Sequence, residues 1–110
     1  MLLEAIPMSL SHFRSYQLSV QFYRKASVLR CPSHLKSQLL RSASSVALNL
    51  AEGNGKDSPA DQRRFYRIAL GSLRESQAVL DLCDRPGSEL AALADQLGAH
   101  IYRLCCPAPK

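Results

Sequence analysis

Three breaks limit what this chain can fold into. Cys31-Pro32, Gly53-Asn54-Gly55 and Arg85-Pro86-Gly87 interrupt a sequence that otherwise repeats its apolar residues every three to four positions. Proline disfavours the α region for the residue before it, and glycine tolerates the backbone angles that end a helix. Four stretches of helical length lie between these breaks. The first carries Leu10, Phe13, Tyr16 or Gln17, Val20 and Tyr23 on one face. The second carries Leu35, Leu39, Ala43, Val46 and Leu50, flanked by Leu40, Ser44, Ala47 and Ala51. A face that wide belongs to a helix with neighbours on two sides. The third carries Phe65, Ala69, Ser72, Ser76, Val79 and Cys83 beside Tyr66, Leu70, Leu73, Gln77 and Leu80, and the fourth Leu90, Leu93 or Ala94, Leu97, Ile101 and Leu104.

The spacing predicts helices over about 9–30, 33–53, 58–85 and 88–104. Residues 1–8 are expected to form an N-terminal extension and 105–110 a disordered tail. Ser58-Pro59-Ala60-Asp61 is a strong helix start, with a capping hydroxyl, proline at the first helical position and an acid three residues after the cap. Ser88 caps the fourth helix. Short connections make consecutive helices antiparallel, so the expected fold is all-α, an up-down-up-down antiparallel four-helix bundle. A hairpin about Gly53–Ser58 brings together residues whose numbers add to about 112, because both helices rise about 1.5 Å per residue. Ala43 then faces Ala69, and Ala47 faces Phe65. Gly71 falls near Arg41, where close packing is expected to offset the roughly 1 kcal/mol that a mid-helix glycine costs.

Apolar residues make up 46% and charged residues 21%, which is globular rather than disordered composition. No apolar run reaches the roughly 18 residues of a transmembrane helix, so no membrane partner is expected. Met1 to Pro7 lacks the basic start of a secretion signal, which makes a cytoplasmic protein the expectation. Cys31, Cys83, Cys105 and Cys106 are then reduced thiols. Cys31-x-x-His34 with Cys83 offers three candidate ligands where structural zinc takes four, so no metal is expected. The sequence has no Glu-x-x-His, no glycine-rich phosphate loop and no nucleophile elbow. Neither an enzyme nor a cofactor is expected.

The net charge is +5, and ten of the fourteen basic residues are arginine. Arginine's planar fork matches phosphate oxygens, so RNA or DNA is a sensible partner, although the same charge also serves solubility. Arg63, Arg64, Arg67 and Arg74 share a broad face of the third helix. Arg41 and Lys36 add charge from the second. Three readings of this surface stand: phosphate contact, a solvated face with pairs such as Asp61–Arg64 and Arg74 or Arg85 with Asp81, and contact between subunits. Tyr16, Tyr23, Tyr66 and Tyr102 offer rings for unpaired bases, or for the core and its rim.

Two central runs carry a family resemblance. Arg41-Ser42-Ala43-Ser44-Ser45-Val46-Ala47-Leu48-Asn49-Leu50-Ala51-Glu52-Gly53 and Arg64-Phe65-Tyr66-Arg67-Ile68-Ala69-Leu70-Gly71-Ser72-Leu73-Arg74-Glu75 resemble the paired signatures of one four-helix-bundle family. It comprises the proteins encoded in large-subunit rRNA intervening sequences and the accessory variability determinant (Avd) proteins of diversity-generating retroelements. The resemblance spans about residues 10–104. The runs Leu48 to Gly53 and Leu97 to Leu104 look more like the retroelement-associated branch. The resemblance implies a ring-like homopentamer. For Avd-type members it implies a basic surface that binds RNA or DNA and the element's reverse transcriptase in mutagenic cDNA synthesis. It also marks Asn49, Glu52, Gly53, Gly71, Ser72 and Glu75 as motif residues. The readings of those residues are structural: Asn49 bonds across the hairpin or at the helix end, and Glu52 meets Arg63 or Arg64. The fourth helix is fairly short and the net charge modest for a dedicated nucleic-acid binder.

Overall fold

The computed structural model describes residues 9–83 and 87–106. The expected extension at 1–8, the end of the third helix with its Arg85–Asp81 pair, and residues 107–110 of the expected tail lie outside them. Four helices follow in chain order: α1 (Arg14–Ser27), α2 (Ser33–Asn54), α3 (Pro59–Leu82) and α4 (Glu89–Cys105). No strand occurs among the described residues, and no helix among them is long and apolar enough to cross a membrane.

Local chemistry explains the helix ends. Ser58 Oγ accepts from the Asp61 amide at 3.1 Å, and Ser88 Oγ from the Ala91 amide at 3.0 Å, so α3 and α4 each satisfy an orphan amide at their start. The first helix is shorter than its periodicity implies. A single 3-10 turn, Leu10–His12, precedes it, and Phe13 then adopts extended angles to bury its ring. At the next break, α2 continues through Gly53 to Asn54, and its cap Gly55 has φ −86. The glycine run therefore ends α2 without a left-handed residue. That conformation falls to Gly87 (φ 76), immediately before the Ser88 cap.

The helices close around one core. Each packs on its chain neighbours, most extensively α2 on α3, and α1 also packs on α4. Leu18, Phe22, Leu39, Val46, Leu50, Leu73, Leu97 and Ile101 are fully buried. Each such side chain contributes about 1.5–3 kcal/mol by leaving water. Phe13 and Tyr66 meet at 6.0 Å between ring centres, which ties the start of α1 to the first turns of α3.

The α2–α3 hairpin differs in register from the expected one. Ser42 pairs with Ser76 at 2.7 Å and Ser45 with Ser72 at 2.8 Å, so facing residues add to 118 and 117 rather than 112. Side chains lean toward the N-terminus of their own helix, which accounts for about two residues of the shift. The path of the connection at 55–58 accounts for the rest. Asn49, not Ala43, is therefore level with Ala69.

Gly71 also departs from expectation. It is exposed, and a Cβ there would meet nothing within 4 Å, so no close packing compensates for it in the chain. Close packing occurs at Gly53 instead, where a Cβ would lie 2.6 Å from Tyr66 Cε1.

Candidate functional site

The six basic residues singled out in the sequence divide into three groups. At the start of α3, Arg64 lies over the Phe65 ring, 4.6 Å from its centre, with Asp61 Oδ1 4.0 Å from its Nε. Lys56 approaches the same ring at 5.1 Å and pairs with Glu52 at 3.1 Å. Glu52 thus takes Lys56 as its partner, not Arg63 or Arg64. Exposed pairs of this kind are worth under about 1 kcal/mol and leave the cations available to solvent.

The second group lies on α2, away from the first. Arg41 donates to Gln38 Oε1, and Gln38 Nε2 donates to Glu75 Oε2, so an acid stands in the same cluster. Lys36 Nζ donates to the Leu29 carbonyl at 2.6 Å. That bond holds the half-buried lysine at the α1–α2 connection, near the opposite end of α2 from Gly53.

The third group follows the α3–α4 seam. Arg74 Nη1 donates to Gln77 Oε1 at 3.0 Å, and Gln77 Nε2 donates to Asp95 Oδ1 at 3.1 Å. The guanidinium lies against α4 at Gly98, where a Cβ would stand in ordinary contact, 3.5 Å from Arg74 Nη1. Two turns toward the start of α3, the Arg67 charge reaches the buried Cys105 thiol. Burial raises the pKa of that thiol, Cys106 adds to the rise, and Arg67 partly offsets it. Arg63 is half-buried on the same flank, seven residues before Leu70. Arg67 and Arg74 are both exposed.

The seam continues onto helices that sequence reasoning left out. Arg103 on α4 and Arg14 at the start of α1 both act on His100. Burial lowers the His100 pKa first, and the two guanidinium charges lower it further, so the imidazole is neutral at pH 7. α1 contains no acid, and neither does α4 after Asp95. Arg67, Arg74, Arg103 and Arg14 therefore form a band across α3, α4 and α1 with Asp95 at its edge. Periodicity marks faces within one helix and so misses a band assembled from three.

Two of the motif residues, Asn49 and Ser72, bond within the α2–α3 hairpin. Asn49 Nδ2 donates within α2 to the Ser45 carbonyl at 2.9 Å and to its hydroxyl at 3.1 Å, neither across the hairpin nor at the helix end. Ser72 pairs with Ser45, and its carbonyl accepts from Ser76 Oγ at 3.1 Å. Every buried side-chain nitrogen and oxygen among the described residues has a partner.

The four tyrosines separate by burial. Tyr66 is in the core, and burial raises its pKa. Tyr16 is half-buried against the core, Tyr23 is 36% exposed, and Tyr102 is 53% exposed. Val20, Tyr23, Ser44, Ala47 and Leu48 line a shallow apolar depression between α1 and α2. No group of three or more histidine, cysteine or acidic residues among the described ones is placed to hold a metal ion.

A protein-family model described as "23S rRNA-intervening sequence protein" matches residues 11–105. No curated protein and no solved structure matches the chain.

Proposed function

The chain belongs to the 23S rRNA-intervening sequence protein family, and from that premise we propose that it is a non-enzymatic, cytoplasmic, nucleic-acid-binding accessory protein. Its partners are RNA or DNA and a reverse transcriptase. Its role is that of the Avd-type members its motifs resemble, support of mutagenic cDNA synthesis. The observation that carries the nucleic-acid part is the acid-poor arginine band over α3, α4 and α1. Phosphate contacts from such a surface give affinity without sequence preference. Arg63 and Arg64 extend the surface at the start of α3, whereas Arg41 and Lys36 contribute little because side-chain and backbone acceptors already hold them. The motif resemblance carries the reverse-transcriptase part.

The up-down-up-down arrangement is supported by the contacts of α1 with α2 and α4 and of α3 with α2 and α4. Assembly as a homopentamer rests on the same resemblance. The apolar depression beside the 67%-exposed Leu48 favours self-association, since a lone exposed leucine is ordinary but an apolar hollow next to one is a contact surface. That observation also favours the second reading, an intervening-sequence-type structural oligomer or protein adaptor that binds no nucleic acid.

Salt dependence separates the two. Five phosphate contacts, from Arg14, Arg63, Arg67, Arg74 and Arg103, give a single-strand salt slope of about −3.5, or roughly a hundredfold loss between about 50 and 200 mM salt. Arg67→Glu with Arg74→Glu is expected to abolish binding while leaving far-UV circular dichroism unchanged. No binding by the native chain at the lower salt refutes the nucleic-acid reading. Full binding by the double variant moves it off this seam.

A further inference from the structure

We infer that Tyr102 is a stacking platform for an unpaired nucleobase, held between Arg67 and Arg74, so that the arginine band takes single-stranded in preference to double-stranded nucleic acid. The inference rests on the nucleic-acid reading above and deepens it.

The register of α3 against α4 places the ring. Arg74 lies against Gly98, and Gln77 bonds to Asp95, so facing residues on these helices add to 172. The Arg67 charge reaches Cys105, the same sum again. Tyr102 is then level with Leu70, three residues from Arg67 and four from Arg74. On a helix those are the one-turn neighbours, about 5 Å to either side along the axis.

The surroundings leave the ring available. Tyr102 is 53% exposed, whereas Tyr66, on α3, is 7% exposed and packed against Phe13. Among the described residues no aromatic ring and no cation packs on the face of Tyr102, whereas Phe13 and Tyr66 pack on each other and Lys56 and Arg64 lie over Phe65. The nearest acid along α4, Asp95, is held by Gln77. Arg103 follows directly, and Arg67 and Arg74 flank the ring from α3, so cations surround an exposed aromatic face.

This composition matches single-strand recognition. Every base has a face that stacks on an aromatic side chain, and flanking cations track the backbone without reading sequence. A duplex keeps its bases stacked on one another and offers such a ring only sugar and phosphate. The arginines serve both forms, and the ring serves only the unpaired one.

The test uses the full chain and fluorescence anisotropy. The probes are a fluorescein-labelled mixed-sequence RNA oligonucleotide and the same strand annealed to its complement. Tyr102→Ala is expected to weaken single-strand binding about tenfold, change duplex binding less than about twofold, and leave the salt slope unaltered. Tyr102→Phe is expected to retain native affinity. Arg67→Glu with Arg74→Glu abolishes binding of both forms. Circular dichroism confirms that the exposed substitution leaves the helices intact. Equal loss on both forms, or no loss on either, overturns the inference while the nucleic-acid reading survives. A lower sedimentation mass for Tyr102→Ala also overturns it, and assigns the ring to a contact between subunits. Failure of the native chain to bind either probe overturns both readings together.

Discussion

Gly53 and Gly71 are both helical, and replacing each by alanine is expected to have opposite effects on stability. At Gly53 the new methyl would stand 2.6 and 3.0 Å from two atoms of the Tyr66 ring and 3.1 Å from Phe65 Cβ. None of these yields easily. Tyr66 is 7% exposed and wedged against Phe13, and Phe65 Cβ is fixed by the backbone of α3. Overpacking of this kind costs about 1–3 kcal/mol, and a clash with two rigid groups belongs at the upper end. Helix propensity returns at most about 1 kcal/mol, less in the last turn of α2. The net expectation is a loss of about 2 kcal/mol. At Gly71 a Cβ meets nothing within 4 Å, so propensity acts alone and the variant gains about 1 kcal/mol. For a domain of this size those values correspond to Tm shifts of about −8 °C and +4 °C. Urea titration followed by circular dichroism measures both, repeated at two protein concentrations because self-association couples to apparent stability. A Gly53→Ala chain as stable as the native one refutes the argument that Tyr66 is locked. A destabilised Gly71→Ala chain refutes the reading of that face as open and places another subunit against it.

Three further outcomes follow from the same geometry. The buried Ser42–Ser76 pair is expected to show coupling in a double-mutant cycle, each single alanine costing about 1 kcal/mol and the double variant clearly less than the two together. Lys25, at 2.6 Å, lowers the Glu89 pKa by hydrogen bonding and by charge. The pair therefore lends its stability above the unfolded glutamate's pKa and loses it as pH falls through the lowered value; NMR titration of Lys25→Ala is expected to return Glu89 to the ordinary range. Ser58→Ala removes the acceptor for the Asp61 amide and is expected to cost about 1 kcal/mol in chemical denaturation, with Ser58→Asp restoring most of it.

Much of the fold was legible because its signals are local. The Ser58-Pro59 and Ser88 starts depend on one hydroxyl and one nearby amide, and core positions such as Leu39, Val46, Leu50 and Leu97 follow the helical repeat. Less legible were quantities that depend on where a connection travels. Nothing in the periodicity of α2 or α3 reports the path of 55–58, so the hairpin register was misjudged, and with it the surroundings of both Gly53 and Gly71. The helical repeat places Phe13 on a helical core face, whereas it is an extended cap whose ring is buried. The candidate site suffered most. Arg63, Arg67 and Arg74 share a flank, but their neighbours Arg14, His100, Tyr102 and Arg103 come from helices far away in sequence.

The hydroxyls between α2 and α3 have a mechanical consequence. Ser42 with Ser76, and Ser45 with Ser72, are two rungs about one turn apart, each bonded to its counterpart and Ser42 and Ser76 also to a carbonyl behind. Sliding one helix along the other by a turn would re-form a single rung, Ser45 with Ser76 or Ser42 with Ser72, and would leave another of these hydroxyls facing Val79 or Ala69. Slippage between the two rods therefore loses a bonded rung, and a push at the glycine corner is carried toward the far end of the pair in preference to being absorbed between them.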